Sequence, residues 1–119
     1  MVDQAGTEVR VSVPMAWAAL LAAGLVEIAG ALALKYSDGF SKPLPSFATM
    51  VAVTLSFALL TLSLRAVPLG TAYAVWTGIG AVGTAVLGIA LFGESADLSR
   101  IACIVLIVTG MIGLKIAAP

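Results

Sequence analysis

The stretch 71–92, TAYAVWTGIGAVGTAVLGIALF, decides the fold, because its 22 residues include no charged side chain. At about 1.5 Å of rise per residue, a helix of this length crosses the roughly 30 Å hydrocarbon core of a membrane. Three further apolar stretches have similar lengths: 16–34, 45–64 and 98–114. None alternates polar with apolar residues as barrel strands do, so the backbone must be satisfied within helices. The sequence therefore predicts an all-α membrane protein with four transmembrane helices per chain.

The composition excludes several other classes of protein. Of the 119 residues, 61% are hydrophobic and 10% are charged, whereas a soluble domain carries about 25% charged residues. A soluble fold of this size could not hide so much apolar surface, which excludes an ordinary globular enzyme and a disordered chain. The balance of six basic and six acidic residues leaves no basic patch for nucleic acid. The absence of His and the single Cys exclude most metal sites, and no cofactor is expected.

The first residues differ from the apolar chain that follows them. Residues 1–14, MVDQAGTEVRVSVP, are polar and mixed, and we interpret them as a disordered leader or an extension upstream of a natural start at Met15. A secretory signal peptide is the alternative, but the apolar stretch continues past Glu27 to Leu34 and is too long for one. We therefore expect the four-helix transmembrane domain to be 15–119.

The basic residues give the chain no preferred orientation. With four crossings, the two membrane sides carry three basic residues each: Arg10, Arg65 and Lys115 against Lys35, Lys42 and Arg100. The positive-inside rule then favours neither insertion. This balance predicts dual topology and an antiparallel homodimer, whose two opposed copies would form the inverted repeat that alternating access needs. The alternative is that an insertase or a partner chain sets one orientation.

Glu27 is the only ionisable side chain well inside any predicted helix. A carboxylate at that depth is costly unless it is protonated, paired or in contact with water. Its presence makes sense if it alternately binds a proton and a cation, and a proton gradient is then the simplest driving force. The alternative is a protonated Glu that only holds helices together.

Small residues share the helix face of Glu27. Gly24 and Gly30 lie three residues before and after it, and helical residues spaced by three or four lie on one face. They leave volume beside the carboxylate, which predicts that they line a site. Close helix packing through small residues is the alternative interpretation.

Aromatic and hydroxyl side chains are further candidates for the site. Tyr73 and Trp76 are spaced by three near the start of the third helix. Aromatic faces attract cations, and a phenol or indole donor can orient a carboxylate. We expect both to line the site, with an interfacial aromatic belt as the alternative. Ser56 lies mid-span in the second helix, where spacing allows a hydrogen bond to Glu27 but equally the common bond of a helical serine to a carbonyl of its own helix.

Glycines in the last two helices predict motion and packing. Gly78 and Gly80 are a close pair inside the third helix, where each glycine costs roughly 1 kcal/mol relative to alanine. Close helix packing can offset this cost, or the glycines can form a hinge whose bending switches access to the site between the two sides of the membrane. Gly110 and Gly113 in the fourth helix indicate a packing face, which we expect to form the dimer contact.

The sequence combines Glu27 in its first helix with KYSDGF at 35–40, Pro45-Ser46, and GTAYAVWTGIG at 70–80. Together these features resemble the small multidrug resistance transporters. The resemblance covers about 15–115. It implies an antiparallel, dual-topology homodimer in a bacterial inner membrane that exchanges protons for cationic substrates. It also implies that Glu27 of both subunits binds protons and substrate competitively. Lining roles are implied for three residues of the second and third helices: Ser56, Tyr73 and Trp76.

Finer features indicate a branch of that family. WTGIGA at 76–81, Gly24 before the glutamate and GES at 93–95 are similar to the guanidinium-exporter branch. That branch usually has Trp at the position of Gly30, where glycine is similar to the quaternary-ammonium multidrug branch. The resemblance therefore implies export of guanidinium compounds, with a wider tolerance for hydrophobic cations. Two alternatives stay open: a multidrug exporter of quaternary ammonium and lipophilic cations, and a non-transporting helical assembly partner. None of these is an enzyme.

Overall fold

The computed structural model describes residues 11–117, which form four α-helices and no strand. The helices are α1 Val13–Tyr36, α2 Pro43–Ser63, α3 Leu69–Phe92 and α4 Leu98–Ala117. They have 24, 21, 24 and 20 residues, and each is long and apolar enough to cross a membrane. The prediction of an all-α membrane protein with four transmembrane helices is confirmed.

The first helix begins earlier than the sequence predicted. The predicted leader, 1–14, lies largely outside the described residues, but its last two residues, Val13 and Pro14, are helical. The Ser12 hydroxyl accepts a hydrogen bond of 3.3 Å from the Met15 N–H and caps the first turn. Pro14 is tolerated there because its missing N–H needs no partner in the first turn. The membrane helix therefore starts before the predicted boundary at Met15.

The turn between α1 and α2 is tight. It places three consecutive residues in the left-handed region: Asp38, Gly39 and Phe40, with φ of 50°, 70° and 64°. The Ser37 hydroxyl supports this geometry, because it donates to the Leu34 carbonyl at 2.7 Å and accepts from the Phe40 N–H at 3.2 Å. The turn therefore returns α2 directly alongside α1.

The apolar core lies between α1, α2 and α3, with α1 packed against both of the others. It includes buried residues from all three helices: Ala16, Leu20, Ala23, Leu60, Ala72, Val75 and Trp76. The small residues of α1 allow the helix backbones to approach closely. This core fills the half of the molecule that lies on the N-terminal side of Glu27, which leaves the other half free to hold a cleft.

The fourth helix lies apart from this core. It packs mainly against α3, and none of its described residues is buried. Leu106 and Ile116 are 70% and 79% exposed, respectively. In a membrane, such a face contacts lipid or another chain, since lipid tails are as apolar as these side chains.

Candidate functional site

Glu27 lies in the middle of α1, and its carboxyl group is directed at Gly80 of α3. A methyl group added at Gly80 would lie 2.5 Å from the carboxyl carbon and 2.6 Å and 2.7 Å from its two oxygens. Side-chain carbons do not approach other atoms that closely, so a residue larger than glycine would displace the carboxyl group. Gly80 therefore makes room for Glu27 within the helix pair.

The carboxyl group of Glu27 has an unsatisfied hydrogen-bond acceptor. Within residues 11–117, its Oε2 atom is buried and has no hydrogen-bond partner. A buried acceptor without a partner costs about 1–3 kcal/mol. A charged side chain at the membrane centre costs about 2.5–3.5 kcal/mol on insertion scales. A bound proton or cation would reduce both costs.

A cleft between α1 and α3 runs from Glu27 to the turn that joins α3 and α4. Its volume is about 510 Å³, within the range of small-molecule sites. Apart from Phe92 at the outer end, the α3 wall consists of small or hydroxyl-bearing residues: Thr77, Gly80, Ala81, Thr84, Ala85 and Gly88. Because these side chains are short, the cleft has room for a small cation beside the carboxylate.

Charged side chains form the outer end of the cleft: Lys35, Glu94 and Arg100. Arg100 Nη2 donates to Glu94 Oε1 at 2.6 Å, and these side chains are 36% and 43% exposed. The Lys35 ammonium instead lies 5.5 Å from the centre of the Phe92 ring, in a cation–π contact. Because the ion pair is partly exposed, the cleft is open at this end.

Ser56 joins the three core helices one turn away from Glu27. Its hydroxyl donates to the Ala23 carbonyl of α1 at 2.7 Å and accepts from the Trp76 indole N–H of α3 at 2.8 Å. In an α-helix the carbonyl of residue 23 also accepts from the N–H of residue 27. Ser56 and Trp76 therefore fix the backbone turn that carries the carboxylate.

Aromatic rings surround the indole of Trp76. The Tyr73 and Phe57 ring centres lie 5.3 Å and 5.0 Å from it. Trp76 is 6% exposed, whereas Tyr73 is 51% exposed. Neither Tyr73 nor Trp76 contributes to the cleft wall. Trp76 therefore contacts the turn before Glu27 through Ser56, and the Tyr73 ring lies exposed on the surface of α3.

Comparison with known proteins gives a family. A family model described as Small Multidrug Resistance protein matches residues 15–107. The chain belongs to the small multidrug resistance family. This membership and the four apolar spans make it a multi-pass inner-membrane protein, as the sequence predicted.

Relatives of this small multidrug resistance protein carry a more specific name. It is 58% identical over 104 residues to the guanidinium exporter of Yersinia pseudotuberculosis serotype I (strain IP32953), with 87% of this chain and 100% of that protein covered. The guanidinium exporter of Salmonella typhimurium is 53% identical over 104 residues, covering 87% of this chain and 99% of the relative. That of Escherichia coli (strain K12) is 53% identical over 103 residues, covering 87% and 98%. These names agree with the branch predicted from the sequence.

The hydroxyl of Ser56 forms neither of the two hydrogen bonds considered from the sequence. It bonds the Ala23 carbonyl and the Trp76 indole instead of the Glu27 carboxyl or a carbonyl of its own helix. The reason is depth along the helix, because Ser56 packs opposite the turn before Glu27. The buried indole N–H needs an acceptor, and Ser56 supplies it.

Gly24 and Gly30 lie at helix contacts rather than in the cleft. A methyl group at Gly24 would lie 2.5 Å from an Ile79 side-chain carbon of α3, and one at Gly30 would lie 3.1 Å from the Ala52 side chain of α2. In the described fold both glycines make the contacts of the packing alternative, because their small size lets α1 approach its neighbours. Their lining of the site stays a prediction.

The glycines of α3 and α4 have separate environments. Gly78 faces Met111 of α4, whose sulfur would lie 2.6 Å from an added methyl group, whereas Gly80 faces Glu27. Gly110 and Gly113 have no described atom within 4 Å of such a group. Gly78 thus packs α3 on α4, and the Gly110 face of α4 stays open. The proposed hinge at Gly78 and Gly80 remains a prediction.

The sequence interpretation missed most of the cleft wall. Thr77, Thr84 and Gly88 share one face of α3 with Gly80 at helical spacing, which an inspection of each helix face in 71–92 could have detected. No comparable signal existed for Glu94 and Arg100, because the 93–97 turn decides whether they reach the cleft. Their charges alone indicated only positions near the edge of the membrane.

Proposed function

We propose that this protein exports guanidinium or substituted guanidinium compounds in exchange for protons, by alternating access. The observation that carries the proposal is the half-buried Glu27 carboxyl, with its unpartnered Oε2, at the inner end of a cleft that is open at its other end. The names of relatives that are 53–58% identical support guanidinium as the substrate. Neither observation alone specifies coupling to protons, which follows from the chemistry of the carboxyl group.

A carboxylate suits both ions. Guanidinium is planar and presents parallel N–H donors, which match the two oxygens of a carboxylate in a fork. A proton on one oxygen removes the negative charge and one acceptor position. Glu27 therefore binds either the proton or guanidinium, and competition for one group couples their movements in opposite directions.

We further infer that two copies assemble as an antiparallel homodimer of dual topology. The basic residues are balanced, three on each side, and the α4 face around Gly110 and Gly113 is open among the described residues. Small residues on an uncovered helix face allow close association of membrane helices. Two opposed copies would bring two Glu27 side chains to one substrate path and supply the inverted repeat needed for alternating access.

Substrate-driven proton flux in proteoliposomes, read with a pH-sensitive dye, tests the substrate class. We expect a guanidinium gradient to drive proton flux and a tetrapropylammonium gradient to drive far less, since guanidinium has N–H donors that match the two oxygens of the Glu27 carboxylate and the quaternary ion has none. Proton flux driven by the bulky ion alone would contradict guanidinium export and favour the quaternary-ammonium alternative. No proton flux with either ion would favour a helical assembly partner. Glu27→Gln, which keeps the shape of the side chain but cannot ionise, is the matched control and should abolish the flux.

A further inference from the structure

A second carboxylate, that of Glu94, packs against the face of α3 that the Glu27 carboxylate of α1 also contacts. A methyl group added at Gly88 would lie 2.6–3.0 Å from the Glu94 carboxyl atoms, just as one at Gly80 would meet the Glu27 carboxyl. Gly80 and Gly88 are eight residues apart, about 12 Å along the helix axis. The cleft therefore has a carboxylate over a glycine at each end.

The end of α3 aims Glu94 at the cleft. Gly93 adopts the left-handed conformation with φ of 66°, and the Glu94 N–H donates to the Gly88 carbonyl at 3.3 Å. This C-terminal cap turns the chain back over the last turn of the helix. The Glu94 side chain consequently folds onto Gly88 instead of extending into solvent.

The two carboxylates differ in their partners. Glu27 Oε2 has none among the described residues, whereas Glu94 holds the guanidinium group of Arg100 at 2.6 Å. That group has the same donor geometry as the proposed substrate. The pair is partly exposed, and water screens such pairs until they contribute little stability. A free guanidinium ion can therefore exchange with Arg100 at Glu94.

We propose that Glu94 is an outer cation site on the path to Glu27, and that Arg100 occupies it as a tethered competitor until a substrate guanidinium displaces it. The inference rests on the proposed function, since it assigns a second site to the same substrate. Glu94 would concentrate the cation at the mouth of the cleft. Arg100 would set the substrate concentration at which that site fills.

Steady-state guanidinium transport by single variants tests the assignment by the direction of change. Arg100→Gln should lower the KM about fivefold and Glu94→Gln should raise it by a similar factor, the ratio that a partly exposed pair supports. Both variants should still transport guanidinium, because Glu27 is intact. A pair that only holds the turn together would shift both variants in the same direction, and that result would overturn the proposal.

The double variant separates competition from simple repulsion. If Arg100 acts only through Glu94, then Glu94→Gln with Arg100→Gln should show the KM of Glu94→Gln alone. A KM that still falls on removing Arg100 would mean general repulsion of cations and would overturn the competitor role. Lys42→Gln removes a charge on the same membrane side away from the cleft and should leave the KM unchanged.

A comparison of the wild-type and Glu27→Gln proteins distinguishes a failure of the outer-site proposal from a failure of the proposed function. If the wild-type protein does not transport guanidinium, the proposed function fails and the outer site fails with it. If the wild-type protein transports guanidinium and Glu27→Gln does not, but the KM values of the Glu94 and Arg100 variants match that of the wild type, only the outer site is overturned.

Discussion

The indole N–H of Trp76 donates a 2.8 Å hydrogen bond to the hydroxyl of Ser56, which in turn donates to the Ala23 carbonyl at 2.7 Å. The three residues belong to three different helices, and the two bonds meet at the Ser56 hydroxyl, beside the α1 turn that precedes Glu27. Trp76 thus contacts the backbone of α1 through Ser56. Its contribution is to position Glu27.

A double-mutant cycle on this pair measures the coupling. Ser56→Ala leaves the buried indole N–H without an acceptor and should cost about 1–3 kcal/mol of unfolding free energy. Trp76→Phe removes the donor and one hydrogen bond, for which measured values in membranes average about 0.6 kcal/mol; the loss of ring area adds to that. Denaturant unfolding in detergent should show that the second substitution costs less once the first is present. Additive costs within about 0.3–0.5 kcal/mol would mean no coupling.

Gly80→Ala should impair binding more than folding. The added methyl group would lie 2.5 Å from the Glu27 carboxyl carbon, so the carboxyl group must rotate away from the cleft. We expect the Kd for guanidinium, measured by calorimetry, to rise at least about tenfold, equivalent to roughly 1.4 kcal/mol. Gly70→Ala, in the same helix with no described atom within 4 Å, is the control and should bind as wild type. Equal affinities for all three proteins would contradict the placement of the carboxyl group.

Asp97, just before α4, makes the stability of the fold depend on pH in the acid range. Its carboxylate accepts from the Arg100 N–H at 2.9 Å and from the Ser99 hydroxyl at 3.0 Å. The backbone hydrogen bond first, and the Ser99 bond second, hold the pKa of Asp97 below its usual value. A lowered folded pKa gives stability that is present above the unfolded pKa and is lost as the pH falls through the folded pKa. The wild-type Tm in detergent should therefore decline below about pH 4.

Asp97→Asn is the matched control for that decline. Asn keeps a cap acceptor but cannot titrate, so its Tm should change less over the same acid range. Identical dependence of Tm on pH in the two proteins would assign the acid sensitivity to other groups.

Dual topology predicts labelling of one turn from both sides of the membrane. Ser41 is exposed in the α1–α2 turn, and Ser41→Cys in a Cys103→Ser background gives one reactive thiol. An impermeant maleimide should label about half of the molecules from either side, because the basic residues are balanced. Adding Ser46→Lys should shift the labelled fraction toward one side. Labelling from one side only, in the balanced protein, would contradict the antiparallel dimer.

The sequence predicted the parts of the fold that follow from runs of consecutive residues of one kind. Stretches such as 71–92 identify membrane helices because a lipid environment demands about 20 apolar residues in a row. Glu27 was identified for the same reason, since its cost at that depth requires a function or a partner. These inferences needed no knowledge of which helices touch.

Features that depend on contacts between helices were not accessible from spacing. Ser56 had several acceptors at the same depth, and only the packing of α1 against α2 selects Ala23. Gly30 shares a helix face with Glu27 in a simple projection, yet it lies against Ala52. Glu94 was an ordinary loop charge until the cap at Gly93 turned it onto Gly88.

Proton release on guanidinium binding tests the central claim most directly. Purified protein in a weakly buffered detergent solution, at a pH where Glu27 is partly protonated, should acidify the solution when guanidinium is added. Glu27→Gln should bind poorly and release no protons, whereas Glu94→Gln should still release protons at saturating guanidinium. Binding by the wild-type protein without proton release, or equal release by Glu27→Gln, would contradict the exchange of the two ions at this carboxylate.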